Sequence, residues 1–304
     1  MQSLLEMFKK IIYPIAFILL FAVIFALLDY RGEYLAERKL YFTDKAFTAI
    51  LKGPEFIPPA FYDKTAAQYN DIITKYAKTV SSKKARLLLG RLYVSKKEFD
   101  AARGEFNNIL KKFPEDKNYC AEALFAIGNS YEAEDKWNKA LSTYESIMDD
   151  YIGTTRALNT PLYIANYYKR KNDDASKNNY LLKAAGYYKK IAQQYPNTQL
   201  GYMALNYEIT SLQLLEKWEA ALEILKNIII DYPNAPDIIR NVRMIEMISI
   251  QKLKTPQLTI DILNDFISRY PQHKLNTLLK NQIKAINKMG TQPQPNDARK
   301  PSKP

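Results

Sequence analysis

Between residues 61 and 289 apolar and small positions recur at the three- and four-residue spacing of amphipathic helices, in paired runs separated by short polar turns. One such pair starts at Gly90 and continues through Tyr93, Ala102, Phe106 and Ile109 to Pro114. Gly128 opens a second copy with Tyr131, Ala140, Tyr144 and Ile147 at the same offsets. Counting back from Pro196 gives Ala184, Tyr188 and Ile191, and counting back from Pro233 gives Ala221, Leu225 and Ile228. From Pro271 the positions hold Thr259, Leu263 and Phe266, a weaker copy. The pattern predicts two helices per unit. Small residues stand where the helices cross, and proline stops the second helix and starts the next unit. Phe99, Trp137 and Trp218, each three residues before the small alanine, fill the turn end of the pair.

A period of about 34 residues with small, aromatic and proline positions in this order resembles the tetratricopeptide repeat, a helix-turn-helix unit that stacks into a solenoid. The resemblance implies an all-α fold. It divides the chain into an incomplete opening repeat at 61–80, repeats at about 83–116, 121–154, 158–198, 202–235 and 240–273, and a closing helix at 274–289. Three units depart from the pattern. The second has Ile152 and Gly153 where the others have proline, so its exit depends on glycine. In the third, Tyr168 and Ala184 are too far apart, which predicts an extended polar turn over 169–179. The fifth carries Pro256 and Thr259 in place of the aromatic and the alanine. Upstream, Ala66, Tyr69, Ile72 and Tyr76 read as a second helix whose first partner is interrupted by Pro54, Pro58 and Pro59.

The other strong pattern lies at the N-terminal side. Residues 11–28 contain no charge and are rich in Ile, Leu, Phe and Ala, with Lys9 and Lys10 before them and Asp29 and Arg31 after. A helix of that length spans about 27 Å, close to the thickness of a bilayer's hydrocarbon core. These residues therefore predict a transmembrane anchor, preceded by a short basic stretch at 1–10. No small-residue cleavage junction follows the run, and no cysteine nearby would accept a lipid. The cations on the two sides do not decide the orientation; a long following domain translocates largely regardless of its charge, which favours a cytoplasmic N-terminus with the repeats outside. Between anchor and array, Leu35, Leu40, Phe42, Ala46, Phe47, Ile50 and Leu51 suit an amphipathic helix, and residues 53–59 a hinge. Residues 290–304, polar and proline-rich, predict a disordered tail.

Composition removes most chemistry. A single histidine, His273, excludes a multi-histidine metal site, and after the Tyr270–Pro271 turn it is expected at the surface. One cysteine, Cys120, builds neither a disulfide nor a thiolate zinc site, and reads as a small buried hydrophobe. The nine glycines form no phosphate-binding loop. Paired acids at Asp149 and Asp150 and at Asp173 and Asp174 fall at a helix end or in the long turn, where acids cap or are solvated. No catalytic residue, cofactor or metal is expected. The net charge of +12 is concentrated after residue 240, where twelve Lys and Arg face four acids. That basic part would serve an alternative role, a cytoplasm-facing membrane recruiter of nucleic acid or a regulatory subunit of an enzyme. The twenty-three tyrosines fall mostly on repeat positions, so packing rather than base stacking accounts for them.

What remains is a non-catalytic, membrane-anchored interaction scaffold, similar to the bacterial envelope branch of the family: the Tol-Pal coordinator, the outer-membrane assembly lipoprotein and the single-pass translocon-associated repeat protein. The resemblance implies an inner-membrane protein with periplasmic repeats whose partners are other proteins of an envelope complex, the bilayer being contacted through 11–28. It also implies a peptide groove on the first helices, lined by the residues after the small position, Arg91, Asn129, Asn166 and Thr210, with Lys169 and the aromatic residues Phe125, Tyr163 and Tyr207. Arginine and asparagine there suit a peptide backbone or carboxylate.

Overall fold

The computed structural model describes the backbone of residues 2–51 and 58–290, and the side chains of 13–24, 32–48 and 58–288. Among them there is no strand. The chain divides into two compact units, Met1–Ala157 and Leu158–Pro304.

The first unit begins with α1 (Gln2–Leu51) and α2 (Pro59–Lys75). Two helix-turn-helix pairs follow, α3 (Val80–Ser95) with α4 (Phe99–Lys112) and α5 (Lys117–Ala133) with α6 (Trp137–Asp150), before α7 (Thr155–Arg170) carries the chain into the second unit. Proline does not break α2. Pro59 stands in its first turn, where the missing amide hydrogen has no acceptor to lose. The partner of α2 is the C-terminal half of α1: Ala36, Leu40 and Phe47 are buried with Tyr69, Ile72, Ala85, Leu89 and Leu92. Leu35, Phe42 and Ala46, expected on the packed face, are exposed. A helix can turn only one stripe of its surface to a neighbour, and here it is the one through Ala36, Leu40, Thr43 and Phe47.

The expected anchor lies in the N-terminal half of α1, and only the side chains of 13–24 are described there. Tyr13, Phe17, Leu20, Phe21 and Ile24 among them are exposed. No helix among the described residues is long and apolar enough to cross a membrane. The expected hinge at 53–59 and the tail at 290–304 lie almost wholly outside the described residues.

In the first unit the small positions have a steric cause. A Cβ built on Gly90 would stand 2.2 Å from Cε1 of Phe106, and one on Gly128 would stand 2.3 Å from Cε1 of Tyr144. Ala102 and Ala140 are fully buried at the same crossings. The glycine exit of the second pair is also confirmed in its geometry: Gly153 has φ 91°, a left-handed conformation that costs glycine little.

The second unit contains the rest of α7, α8 (Asp174–Gln194), α9 (Gln199–Leu214), α10 (Trp218–Asp231), α11 (Ile238–Glu246), α12 (Pro256–Arg269) and α13 (Asn276–Gly290). The extended polar turn expected over 169–179 is not there. The chain turns within 171–173, and the additional residues lengthen α8 to 21 residues. Asp173 caps that helix by accepting from the backbone N–H of Ser176 at 3.0 Å, so the polar run is helix-starting sequence rather than loop. After Glu246 the α11 helix loosens into a π-helical stretch, Met247–Lys252, which accommodates one extra residue before the turn.

The turn between first and second helices has one geometry throughout. Lys97, Asp135, Asn172, Glu216 and Lys254 all adopt φ between 56° and 62°. Five non-glycine residues in the left-handed region, one per pair, mark the repeats more regularly than their side chains do.

Candidate functional site

The residues expected to line a groove sit on the first helices of the pairs, and the structure treats them unequally. In the first unit Arg91, on α3, is exposed. Three other cations of α3 and α4 are matched: Lys83 pairs with Asp116 at 2.7 Å, Arg86 with Glu105 at 2.6 Å, and Arg103 with Asp100 at 2.5 Å and with Glu134. Arg91 has no such partner among the described residues. Its guanidinium is exposed, and its planar fork of donors suits a carboxylate.

Asn129, on α5, is half-buried, and its Oδ1 accepts from the Tyr144 hydroxyl at 2.6 Å. Phe125, one turn earlier, is buried rather than offered to a ligand. The Arg156 guanidinium lies 4.0 Å above its ring and is itself held bidentate by Glu122, at 3.0 and 2.7 Å. Arg156 was not a candidate from the sequence. The signal that finds it is spacing, since Glu122 and Arg156 stand one repeat apart, as Lys83 and Asp116 do.

In the second unit Asn166 and Lys169, on α7, are exposed and make no side-chain bond among the described residues. Tyr163 lies on the same helix, with the Arg170 guanidinium 5.7 Å from its ring centre. On α9, Tyr207 stacks on Tyr188 with ring centres 5.2 Å apart and donates to Asn159 Oδ1 at 2.5 Å. Thr210 donates to the carbonyl of Asn206 at 2.9 Å, a bond within its own helix. The side chains presented outward are therefore Arg91, Asn166 and Lys169; Asn129, Phe125, Tyr207 and Thr210 are held by internal contacts.

Reactive groups elsewhere are occupied structurally. Cys120 is buried, donates to the carbonyl of Phe113 at 3.2 Å, and is pushed up in pKa by burial, which opposes thiolate formation. His273 is not the surface residue that the turn predicts. It is half-buried, with its ring edge-on to Phe266 at 5.1 Å and Nδ1 accepting from the N–H of Leu275 at 3.3 Å. The aromatic and helix-start residues around the turn enclose it. Asp149 and Asp150 are exposed at the end of α6. Among the described residues no cluster of metal-ligating side chains occurs.

The family model for the tetratricopeptide repeat matches residues 84–116 and 122–151, the two helix pairs α3–α4 and α5–α6. These two segments are tetratricopeptide repeats, and the described residues are all-α. No curated protein matches the chain. Among solved structures it is similar to BtubC (BKLC) from P. vanneervenii, with 11% identity over 90% of this chain and 96% of that one and a TM-score of 0.37. It is also similar to the TPR2AB domain of yeast Sti1, solved in complex with pHSP90, with 13% identity over 85% and 99% of the two chains and a TM-score of 0.33. A further similar structure is the APC/C Cut9–Hcn1 heterotetramer, with 14% identity over 80% of this chain and 52% of that chain and a TM-score of 0.28.

Proposed function

We propose that this protein is a non-catalytic scaffold that holds partner polypeptides on the first-helix face of its tetratricopeptide repeats, tethered to a membrane by residues 11–28. The observation that carries the first part is Arg91: an exposed guanidinium on the first helix of a matched repeat, without an ion-pair partner among the described residues, while Lys83, Arg86 and Arg103 of the same helix pair are each held by a carboxylate. A peptide carboxylate completes that set by a charge-assisted bond. The tether rests on the uncharged run of the sequence and on the exposed apolar side chains along 13–24 of α1.

The reading extends to a bacterial envelope complex with the repeats on the periplasmic side of the inner membrane. It is supported by the basic residues Lys9 and Lys10 ahead of the run and the long domain behind it. The test is a crosslinking pull-down from solubilised membranes using the full chain as bait, beside the double variant Arg91→Ala, Asn129→Ala. Loss of the same partner bands with helicity intact supports the groove; unchanged bands exclude it. Topology is read separately. With Cys120 replaced and a cysteine introduced at Lys190, an impermeant thiol reagent should label cells whose outer envelope alone is permeabilised, and protection would place the repeats in the cytoplasm.

A further inference from the structure

The residue just before the small position of each first helix is buried and apolar in the earlier pairs. Leu89 is 0% exposed, Ile127 7% and Ile164 0%. On α9 the same register holds Glu208, also buried at 8% exposure. A carboxyl at such a position is costly unless something pairs with it. Nothing does: Glu208 accepts no hydrogen bond and joins no ion pair among the described residues. Lys189 on α8 is near enough to act on it through space, yet the two do not form a contact pair.

Glu208 lines a groove of about 650 Å³ between α8 and α10, floored by α9. Helical spacing puts this groove on the opposite side of α9 from Thr210, so it is distinct from the first-helix face. Its apolar walls include Ala192, Leu205, Leu212 and Ile224. Its charged lining is acidic, Glu208, Glu223 and Asp231 against Lys189, in a chain whose net charge is +12. The amide side chains of Gln193 and Asn227 stand exposed on the two rims and make no bond among the described residues.

We propose that this groove is a second binding site, in which Glu208 receives the side chain of a lysine or arginine from a partner polypeptide. Each part of the groove matches a part of that ligand. The apolar walls cover the aliphatic stem, and the carboxylate meets the charged head at the floor. Gln193 and Asn227 are placed to take the backbone on either side, which a free amine would not use. Glu223 and Asp231 at the edges favour approach of positive charge.

The test uses the full chain and three short fluorescein-labelled peptides that differ only in their central residue, lysine, arginine or norleucine. Anisotropy titrations should give binding of the lysine and arginine peptides about tenfold or more tighter than norleucine, the size of one charge-assisted bond. Glu208→Gln, nearly isosteric, should abolish that preference, while Lys111→Ala, at an exposed position of α4, leaves it unchanged. Lys189→Met should tighten binding by removing a competing cation. Circular dichroism checks that each variant folds, and Glu208→Leu gives a second loss of the carboxyl in case the glutamine variant does not. Equal binding of all three peptides, no binding at all, or a preference that survives both Glu208 variants overturns the proposal. Displacement of the lysine peptide by spermidine at equal concentration would assign the groove to a free polyamine instead. A strong stability coupling between Lys189 and Glu208 in a double-mutant cycle would make the partner internal and also overturn it.

Discussion

Phe106 occupies the space that a side chain at residue 90 would need: a Cβ on Gly90 would lie 2.2 Å from its Cε1 and 2.6 Å from its Cζ. The crossing of α3 and α4 depends on that pairing of nothing against a ring. Gly90→Ala should therefore overpack the first unit and cost about 1–3 kcal/mol. At Gly201 the obstacle is the Tyr195 carbonyl oxygen, 2.1 Å from the built Cβ, and backbone yields less than a ring edge. Gly201→Ala should cost more than Gly90→Ala. Gly104, on α4, has nothing within 4 Å, so Gly104→Ala should gain about 0.5–1 kcal/mol from helix propensity alone. Urea midpoints of the three variants give the order, and a destabilised Gly104→Ala would refute the packing account.

The five turns with φ near 57° predict changes of the opposite sign. A left-handed residue with a Cβ costs roughly 1–2 kcal/mol relative to glycine, offset in part by the entropy glycine loses on folding. Lys97→Gly and Glu216→Gly, both exposed, should each raise stability by about 0.5–1 kcal/mol. Thermal melts of the single variants and the pair would show it, with near-additive gains because the turns lie in separate units.

How much of this could be read in advance depends on which physical signal each feature leaves in sequence. The crossings at Gly90 and Gly128 were legible, because only a very small residue tolerates a ring in van der Waals contact. The third pair was not. Its extra residues are polar, and polarity is shared by a loop and by the solvent face of a long helix; the cap at Asp173 is what decides for helix. The amphipathic helix over 35–51 was legible, but not which of its stripes packs, since Ala36, Leu40, Thr43 and Phe47 are interleaved with exposed Phe42 and Ala46. Among the groove residues, spacing located the helix face but not the state of each side chain. Phe125 is covered by an arginine from one repeat later, and a contact of that range has no local signature.

Glu208 makes the stability of the protein depend on pH in a direction unusual for a carboxylate. Burial, with Lys189 opposing, raises its pKa above the ordinary value of about 4.3. The folded state then binds the proton more tightly than the unfolded one, so this group favours folding most below about pH 4.3 and progressively less as pH rises through its folded pKa. Asp116 behaves oppositely. Held low by Lys83 and by the N–H of Tyr119, it favours folding at neutral pH and loses that contribution as pH falls through its depressed pKa. Glu208→Leu, which restores the residue type found at 89, should stabilise the protein at pH 7 by about 1–3 kcal/mol, and the gain should shrink toward pH 4. Guanidinium titrations at the two pH values measure it. An equal gain at both would mean that the carboxyl is not desolvated in the folded protein.

The long helix α1 carries two segments that truncation should separate. Its stripe through Ala36, Leu40 and Phe47 belongs to the core of the first unit, whereas Tyr13, Phe17, Leu20, Phe21 and Ile24 are exposed. Removing residues 1–28 leaves the packed stripe in place and deletes the uncharged run, so the product should fold, stay in solution without detergent and show the helical circular dichroism of the repeats. Removing residues 1–51 takes the stripe as well. It exposes Tyr69, Ile72 and Leu89 and forfeits the burial of Leu40 and Phe47, about 3–6 kcal/mol together. Nearest-neighbour coupling confines most of that loss to the end of the array, so α2 and α3 should unravel first while α5 and α6 persist. Hydrogen exchange resolves the two cases. Protection of α2 amides in the shorter deletion and its collapse in the longer one are expected, and loss of α2 protection already on removal of 1–28 would show that the apolar run is needed for folding.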